Sequence, residues 1–274
     1  MDGELRRQTL ADLLHRSAKR FPNKTAIICG DTAWTYATFD AVCNRLATGL
    51  AARGVGKGTR VAILSRNSHA FAALRFALAR LGAVLVPINF MLKAEEAAFI
   101  LRHAGAEMLA TDSGLAEVAR AASALDTKVR ELVWLPSEEE TTPAPGMIVL
   151  DELLSNSAEP PQVELWDNDL AQIVYTSGTE SLPKGTMLTH TLAICELRGR
   201  RQYFPRRSGF ARVAALSLRP ARRVPRPGDL CRQYERDYCQ ADARKPATAH
   251  RTSPHHFVLC ATNYMDFAVA LPAL

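Results

Sequence analysis

The sequence of 274 residues has no uninterrupted apolar run long enough to span a bilayer, and its first residues, Met1–Glu4, include two acidic side chains. We therefore expect no secretory signal, no transmembrane anchor and a cytoplasmic location, with contact at the periphery of a membrane left open. Without an export signal, the six cysteines are not expected to form a disulfide framework. Charged residues are only 23% of the chain against 47% hydrophobic residues, which excludes a wholly disordered protein.

Lysine is nearly absent from the last part of the chain. Residues 191–274 hold 15 basic side chains against 6 acidic ones, and Lys245 is the only lysine among them. Residues 1–190 hold 19 basic and 22 acidic side chains, so the whole net charge of +6 arises from the tail. The tail is also dense in proline, which opposes long helices and central strands. We interpret residues 1–190 as the folded part and residues 191–274 as an irregular, Arg/Pro-rich basic tail.

Helical and strand-like hydrophobic periods alternate between Leu10 and Tyr175. The predicted helices cover residues 10–20, a segment through Phe39 that ends near Gly54, and residues 68–81, 93–104, 113–124 and 148–154. The predicted strands cover residues 25–29, 33–36, 60–65, 83–89, 107–111, 129–135 and 170–175. This alternation predicts an α/β domain that is built on a mainly parallel sheet.

A loop of hydroxyl, glycine and lysine residues follows the last predicted strand, and we call Thr176–Gly185 the phosphate loop. Gly178 allows backbone N–H groups to approach an anion, and Lys184 supplies a mobile positive charge. The separation of Gly178 and Lys184 is that of a Walker A motif. However, Pro183 replaces the second glycine of that motif, and Gly185 replaces the hydroxyl residue that binds magnesium. The sequence therefore predicts a phosphate site of another class than the P-loop NTPases.

Tyr175 and the phosphate loop together resemble the signature loop of the adenylate-forming (AMP-binding) superfamily. This superfamily includes acyl-CoA and aryl-CoA ligases, luciferases and the adenylation domains of peptide synthetases. Its pattern is Tyr-Thr-Ser-Gly-Thr-Thr-Gly-x-Pro-Lys-Gly, from which this chain departs only at Glu180 and Ser181. Earlier segments at residues 35–36, 54–64 and 80–89 are also similar to the superfamily, in the usual order, so the resemblance covers about residues 10–190.

The resemblance implies the N-terminal portion of the large domain of an adenylate-forming enzyme, and it implies a reaction. The carboxylate of an acid attacks the α-phosphorus of ATP, pyrophosphate leaves, and the acyl-adenylate then reacts with a thiol, usually that of CoA. The sequence of residues 60–112 resembles fatty acyl-CoA ligases more than amino-acid adenylating domains. The implied small-molecule substrates are therefore a medium- or long-chain fatty acid, ATP with Mg²⁺, and CoA. The resemblance implies a catalytic role for Lys184 and phosphate contacts from Thr176, Ser177, Gly178, Thr179, Lys184 and Gly185. We predict no metal-binding side chains.

Motifs that the superfamily carries after this loop have no counterpart in residues 191–274. They include an aspartate that binds the ribose hydroxyls and a catalytic lysine in a C-terminal domain. We interpret the tail as out-of-frame or disordered sequence, and we expect the chain by itself to be inactive, or nearly so, and to expose apolar edges of its sheet.

Two other functions remain open at this stage, an aryl-acid or amino-acid adenylating domain and a nucleic-acid-binding protein with a basic tail. The second is disfavoured, because the arginine clusters lack helical spacing and no specific nucleic-acid motif is present. A zinc site at Cys231, Cys239, His250 and His255 is disfavoured as well, because seven residues separate the two cysteines. His190 is either a catalytic residue or a packing or capping residue, and His69 and His103 are interpreted as residues on helix surfaces.

Overall fold

The computed structural model describes residues 8–137, 142–176 and 183–194. Within these residues, five α-helices, α1–α5, span Leu10–Arg20, Tyr36–Ala52, His69–Leu81, Ala94–Ala104 and Ala116–Ser123. Nine strands, β1–β9, span Thr25–Cys29, Thr32–Thr35, Arg60–Leu64, Val84–Pro87, Met108–Thr111, Glu131–Trp134, Ile148–Val149, Leu170–Thr176 and Lys184–Thr189. Two short 3-10 helices span Ser113–Leu115 and Leu150–Leu153, and residues 190–194 are helical.

Seven of these strands form one sheet in the order β7-β6-β5-β3-β4-β8-β9. All neighbouring pairs in it are parallel except β8 and β9, which form an antiparallel pair. The strands β1 and β2 form a separate antiparallel hairpin, whose turn at Gly30 has a φ of 55°. The predicted α/β class with a mainly parallel sheet is confirmed.

The helices cover both faces of the large sheet, as parallel strands require. On one face, α1, α2 and α3 pack with Val61 and Ile63 of β3 in the larger hydrophobic core. On the other face, α4 and α5 pack with the alternate residues Ala62 and Leu64. The strand β3 is therefore buried on both sides, which explains its continuous apolar sequence.

Helix boundaries follow local capping chemistry. The helices α1, α2 and α3 begin after Thr9, Thr35 and Ser68, whose hydroxyls accept hydrogen bonds from backbone N–H groups in the first turn. The helices α3 and α4 end at Gly82 and Gly105, which adopt the left-handed conformation. Capping by Thr35 also corrects one prediction, because Tyr36 was assigned to a strand and is instead the first residue of α2.

A strap without regular structure, residues 154–169, runs from the second 3-10 helix past α2 to the start of β8. The backbone N–H of Ser155 donates to the carbonyl of Arg45, and the Arg45 Nε donates to the carbonyl of Ser155 at 2.7 Å. Further along, Lys57 forms an ion pair of 2.6 Å with Asp169. The strap therefore fastens β8 to the helical layer on one face of the sheet.

Other predictions differ from the structure in detail. The helix predicted at 148–154 is instead β7 followed by a 3-10 helix, since Ile148 and Val149 pair with β6. The helix predicted at 113–124 begins as a 3-10 turn, and β9 was not predicted. Cys29 and Cys43 are both buried in the larger hydrophobic core. In the parts of the chain that the structure describes, no helix has the length and apolarity needed to cross a membrane.

Candidate functional site

The phosphate loop connects β8 and β9, which are paired with each other at one end of the strand order. The strand β8 lies between β4, which is parallel to it, and β9, which is antiparallel. Thr176, the last residue of β8, is paired directly with Lys184, the first residue of β9. The hairpin thus brings the two ends of the loop together at the carboxyl edge of the parallel strands, the edge at which open α/β sheets bind ligands.

The sequence-predicted site residues divide into two groups. Thr176, Lys184 and Gly185 lie within the described strands, and the structure brings them together at the closed end of the hairpin. Lys184 is exposed to solvent. Ser177, Gly178 and Thr179 lie outside the described residues, as do Glu180 and Ser181 of the departures from the superfamily pattern. The assignment of the six residues to phosphate binding therefore stays a prediction.

Gly185 is paired with Tyr175, and the neighbouring side chains leave little space for any residue larger than glycine. A Cβ atom on Gly185 would lie 3.1 Å from Cζ of the Tyr175 ring and 3.0 Å from Cγ2 of Ile173. Few real Cβ atoms have contacts this short, so a side chain at position 185 would displace the ring. The absent side chain lets the tyrosine ring lie against the backbone of β9.

Tyr175 also contacts α4, which sequence reasoning missed. Its hydroxyl lies 2.7 Å from Nδ1 of His103, and the two rings meet edge to face at a centroid distance of 5.7 Å. His103 is exposed, as predicted for a residue on a helix surface, but its partner lies 72 residues away in the sequence. A pattern of neighbouring residues in the sequence cannot predict such a pairing.

The neighbouring strand ends are fixed by a buried carboxylate. Asp112 follows β5, and its Oδ2 accepts the backbone N–H of Arg66, which follows β3, at 2.7 Å. Its Oδ1 accepts the backbone N–H of Leu115 at 3.1 Å and so caps the first 3-10 helix. Asp112 is thereby committed to holding two strand-to-helix turns at the same edge of the sheet as the phosphate loop.

His190 is fully buried at the end of β9, where the helical residues 190–194 begin. Its Nδ1 accepts the backbone N–H of Leu10 at 3.3 Å, so that bond holds the first turn of α1. Burial lowers the pKa of His190 below its ordinary value, although the carboxylates of Asp169 and Asp12 oppose the shift. Of the two roles left open for this residue, the geometry favours packing.

His69 requires a correction, because it is partly buried and not a simple surface residue. It begins α3, and its ring meets that of Trp34 edge to face at 5.1 Å. Burial lowers its pKa, with an opposing effect from Asp151. Trp34 of the hairpin contacts the first turn of α3, and the sequence alone did not indicate this contact.

The described residues contain no group of three or more His, Cys, Asp or Glu side chains that could hold a metal ion. The zinc candidates Cys231, Cys239, His250 and His255 lie outside the described residues, as does the part of the basic tail from residue 195 onward.

Comparison with known proteins gives consistent results. Residues 14–217 match the family described as AMP-binding enzyme. A feruloyl-CoA synthase from Amycolatopsis sp. is 36% identical over 186 residues, which are 68% of this chain and 34% of that protein. The long-chain-fatty-acid–CoA ligase FadD13 of Mycobacterium tuberculosis is 38% identical over 161 residues, which are 58% of this chain and 30% of the ligase.

A solved structure agrees with the sequence relatives. The N-terminal domain of FACL13 from Mycobacterium tuberculosis superposes with a TM-score of 0.64 at 32% identity, covering 74% of this chain and 49% of that one. The chain spans about a third of the length of the curated relatives described above. The family match runs past residue 190, but residues 195–217 lie outside the described part, so the predicted domain boundary stays a prediction.

The matched relatives are named as a CoA synthase and a CoA ligase, and the fold agrees with the N-terminal domain of FACL13. Together with the family match over well more than half of its residues, this establishes that the chain belongs to the AMP-binding enzyme family.

Proposed function

We propose that this chain carries the ATP-binding part of an acid–thiol ligase that activates a fatty acid. The acid would be joined to AMP with release of pyrophosphate, and the acyl group would then pass to the thiol of CoA. The observation that carries the proposal is the hairpin of β8 and β9, which pairs Thr176 with Lys184 at the carboxyl edge of the parallel sheet. The family match over the same residues supports it.

In this proposal the phosphate loop binds the β- and γ-phosphates. Lys184 is exposed and pairs with Thr176 at the end of the hairpin, where its ammonium group would attract the triphosphate and balance charge that develops on the leaving pyrophosphate. The hydroxyls of Thr176, Ser177 and Thr179 and the backbone at Gly178 and Gly185 would supply hydrogen bonds. We treat Mg²⁺ as part of the substrate, the complex MgATP, in which phosphate oxygens bind the ion.

A fatty acid is the acid that we propose, because a long-chain-fatty-acid–CoA ligase is among the relatives at 38% identity. An aromatic acid is the second candidate, since the feruloyl-CoA synthase is 36% identical over a longer alignment. The ribose-binding aspartate and the catalytic lysine of the superfamily have no counterpart in residues 191–274, so we expect MgATP binding by this chain without appreciable turnover of either acid.

Binding of MgATP to the purified chain, measured by isothermal titration calorimetry, tests the proposal. Replacing Lys184 by Met should weaken binding about 10- to 100-fold, because a hydrogen bond to a charged group contributes roughly 1.5–3 kcal/mol. Lys128→Met is the matched control, since Lys128 is also exposed but precedes β6, at the opposite edge of the sheet. It should leave the dissociation constant unchanged.

Three outcomes contradict the proposal. The wild-type chain does not bind MgATP, or Lys184→Met binds it as tightly as the wild type does, or both lysine variants weaken binding equally. ATP–pyrophosphate exchange by the wild-type chain with a fatty or aromatic acid would contradict the expected lack of turnover and would identify the acid directly.

A further inference from the structure

Three side chains from two elements meet beside the last residues of β8. Phe99 and His103 lie one turn apart on α4, and their rings are stacked at a centroid distance of 5.6 Å. The His103 ring in turn meets the edge of the Tyr175 ring, and its Nδ1 lies 2.7 Å from the Tyr175 hydroxyl. The contact joins a helix on one face of the sheet to the residue that immediately precedes the phosphate loop.

The tyrosine ring is constrained by β9 as well. It lies against Gly185, where an added Cβ atom would come within 3.1 Å of the ring. Tyr175 and Gly185 are paired residues in the antiparallel ladder, one step inside the closing pair Thr176 and Lys184. A shift of the tyrosine would therefore be transmitted to both strands that carry the ends of the loop.

We propose that His103 is a positioning residue for the phosphate loop, which it serves by fixing the Tyr175 ring against Gly185. The inference rests on the proposed function, since it concerns how the ATP-binding hairpin is held. His103 does not touch the nucleotide in this arrangement. Its effect passes through one hydrogen bond and one ring contact to the strand ends at Thr176 and Lys184.

The polar groups of Tyr175 and His103 can maintain the hydrogen bond between them. Burial raises the pKa of Tyr175, so the phenol keeps its proton throughout the neutral range. Nδ1 of His103 can accept a hydrogen bond from the phenol hydroxyl or donate an N–H to the phenol oxygen, depending on the tautomer, so either tautomer maintains the bond. An aliphatic residue at position 103 would keep the helix but leave the phenol without this partner.

The experiment uses the full chain and three variants, with MgATP as the ligand. His103→Leu removes the hydrogen bond, Tyr175→Phe removes it from the other side while keeping the ring, and His103→Asn restores a polar atom near the position of Nδ1. We expect the first two to raise the dissociation constant about threefold to tenfold, the effect of one hydrogen bond. The double variant His103→Leu/Tyr175→Phe should be no weaker than either single one, and His103→Asn should recover most of the affinity.

Arg102→Gln is the matched control, because Arg102 is exposed on the same helix and donates to the carbonyl of Leu125 instead of to β8. Hydrogen exchange of the amides of residues 184–189 is the second readout, and it does not depend on nucleotide. We expect faster exchange in this strand for His103→Leu and Tyr175→Phe, with no change for Arg102→Gln.

The outcomes separate this inference from the function on which it rests. If the wild-type chain does not bind MgATP, the proposed function is wrong, and the role in loop positioning is lost with it. If the wild type binds MgATP but His103→Leu binds equally well, or matches Arg102→Gln in both readouts, the inference alone is wrong. Additive effects in the double variant would also overturn it, because two side chains that act through one contact cannot contribute independently.

Discussion

A Cβ atom on Gly49 would lie 1.7 Å from the backbone oxygen of Leu153, the last residue of the second 3-10 helix. Backbone cannot yield as a flexible side chain does, so Gly49→Ala must push the segment around Leu153 off α2. We expect a loss of about 1–3 kcal/mol in the free energy of unfolding, the usual range for overpacking. Urea denaturation followed by circular dichroism measures it.

Gly56→Ala serves as the comparison for that measurement, because a Cβ atom on Gly56 would meet nothing within 4 Å. Its stability should stay within about 0.5 kcal/mol of the wild type, as for most surface substitutions. Equal stabilities for the two variants would mean that α2 and the 3-10 helix do not pack as described.

Individual residues show how much of the candidate site can be predicted from the sequence. Lys184 and Gly185 were selected by resemblance to a superfamily pattern, and the structure pairs them with Thr176 and Tyr175 across the hairpin. The contact between Tyr175 and His103 could not be selected in this way, because it joins residues 72 positions apart. Such a pairing depends on where α4 packs on the sheet, which no local pattern determines.

Among the elements, α2 and α3 are joined by a buried ion pair. Nη2 of Arg80 lies 2.5 Å from Oδ1 of Asp40, and their side chains are only 6% and 12% exposed. Asp40→Asn would leave the guanidinium charge buried without a counter-charge, which is expected to destabilise the fold by about 3–5 kcal/mol. The paired replacement Asp40→Leu/Arg80→Met should recover most of that loss, since an apolar pair of similar volume is often as stable as the ions.

Thermal unfolding of the single and double variants measures this coupling between the two helices. Glu117→Gln is the reference, because Glu117 pairs with Arg120 at the surface, where it is 91% exposed. An exposed pair contributes about 0–1 kcal/mol, so this variant should melt close to the wild type. A double variant as unstable as Asp40→Asn would show that the helices need the charges themselves.

Elements with strong local signals were predicted well, and those that depend on partners were not. Both bounds of α1 were predicted, because its apolar period ends shortly before Pro22. Tyrosine is common in strands, yet Tyr36 is helical because Thr35 caps the first turn of α2. The strand β9 has little apolar alternation of its own and forms against the edge of β8, so its existence is a tertiary effect.

For the molecule as a whole, His190 links stability to pH. It connects β9 to the start of α1, 180 residues away in the sequence, while burial lowers its pKa. The unfolded chain therefore takes up a proton near its ordinary pKa of 6.5, whereas the folded chain takes it up only at lower pH. Stability from this group is complete above that value and declines as the pH falls towards the folded pKa, by at most about 1.4 kcal/mol per pH unit.

His190→Asn tests this linkage, because the asparagine oxygen can accept the Leu10 N–H without titrating. We expect the unfolding free energy of the variant to fall less steeply than that of the wild type between pH 7 and pH 5. Ala33→Asn, at an exposed position whose side chain does not titrate, is the control and should keep the slope of the wild type. Parallel curves for all three proteins would exclude His190 as a source of the pH dependence.

The position of β8 beside β4 has a consequence for the chain while it is being synthesised. The two strands are neighbours in the sheet, but about 80 residues separate the end of β4 from the start of β8. Translation at about 5–20 residues per second needs on the order of 4–16 s for that interval. During those seconds β4 can already pair with β3 on one side, while its other edge has no native partner outside the ribosome. The ribosome-bound chain thus presents an unpaired apolar strand, the form in which a nascent protein is most open to capture by a chaperone.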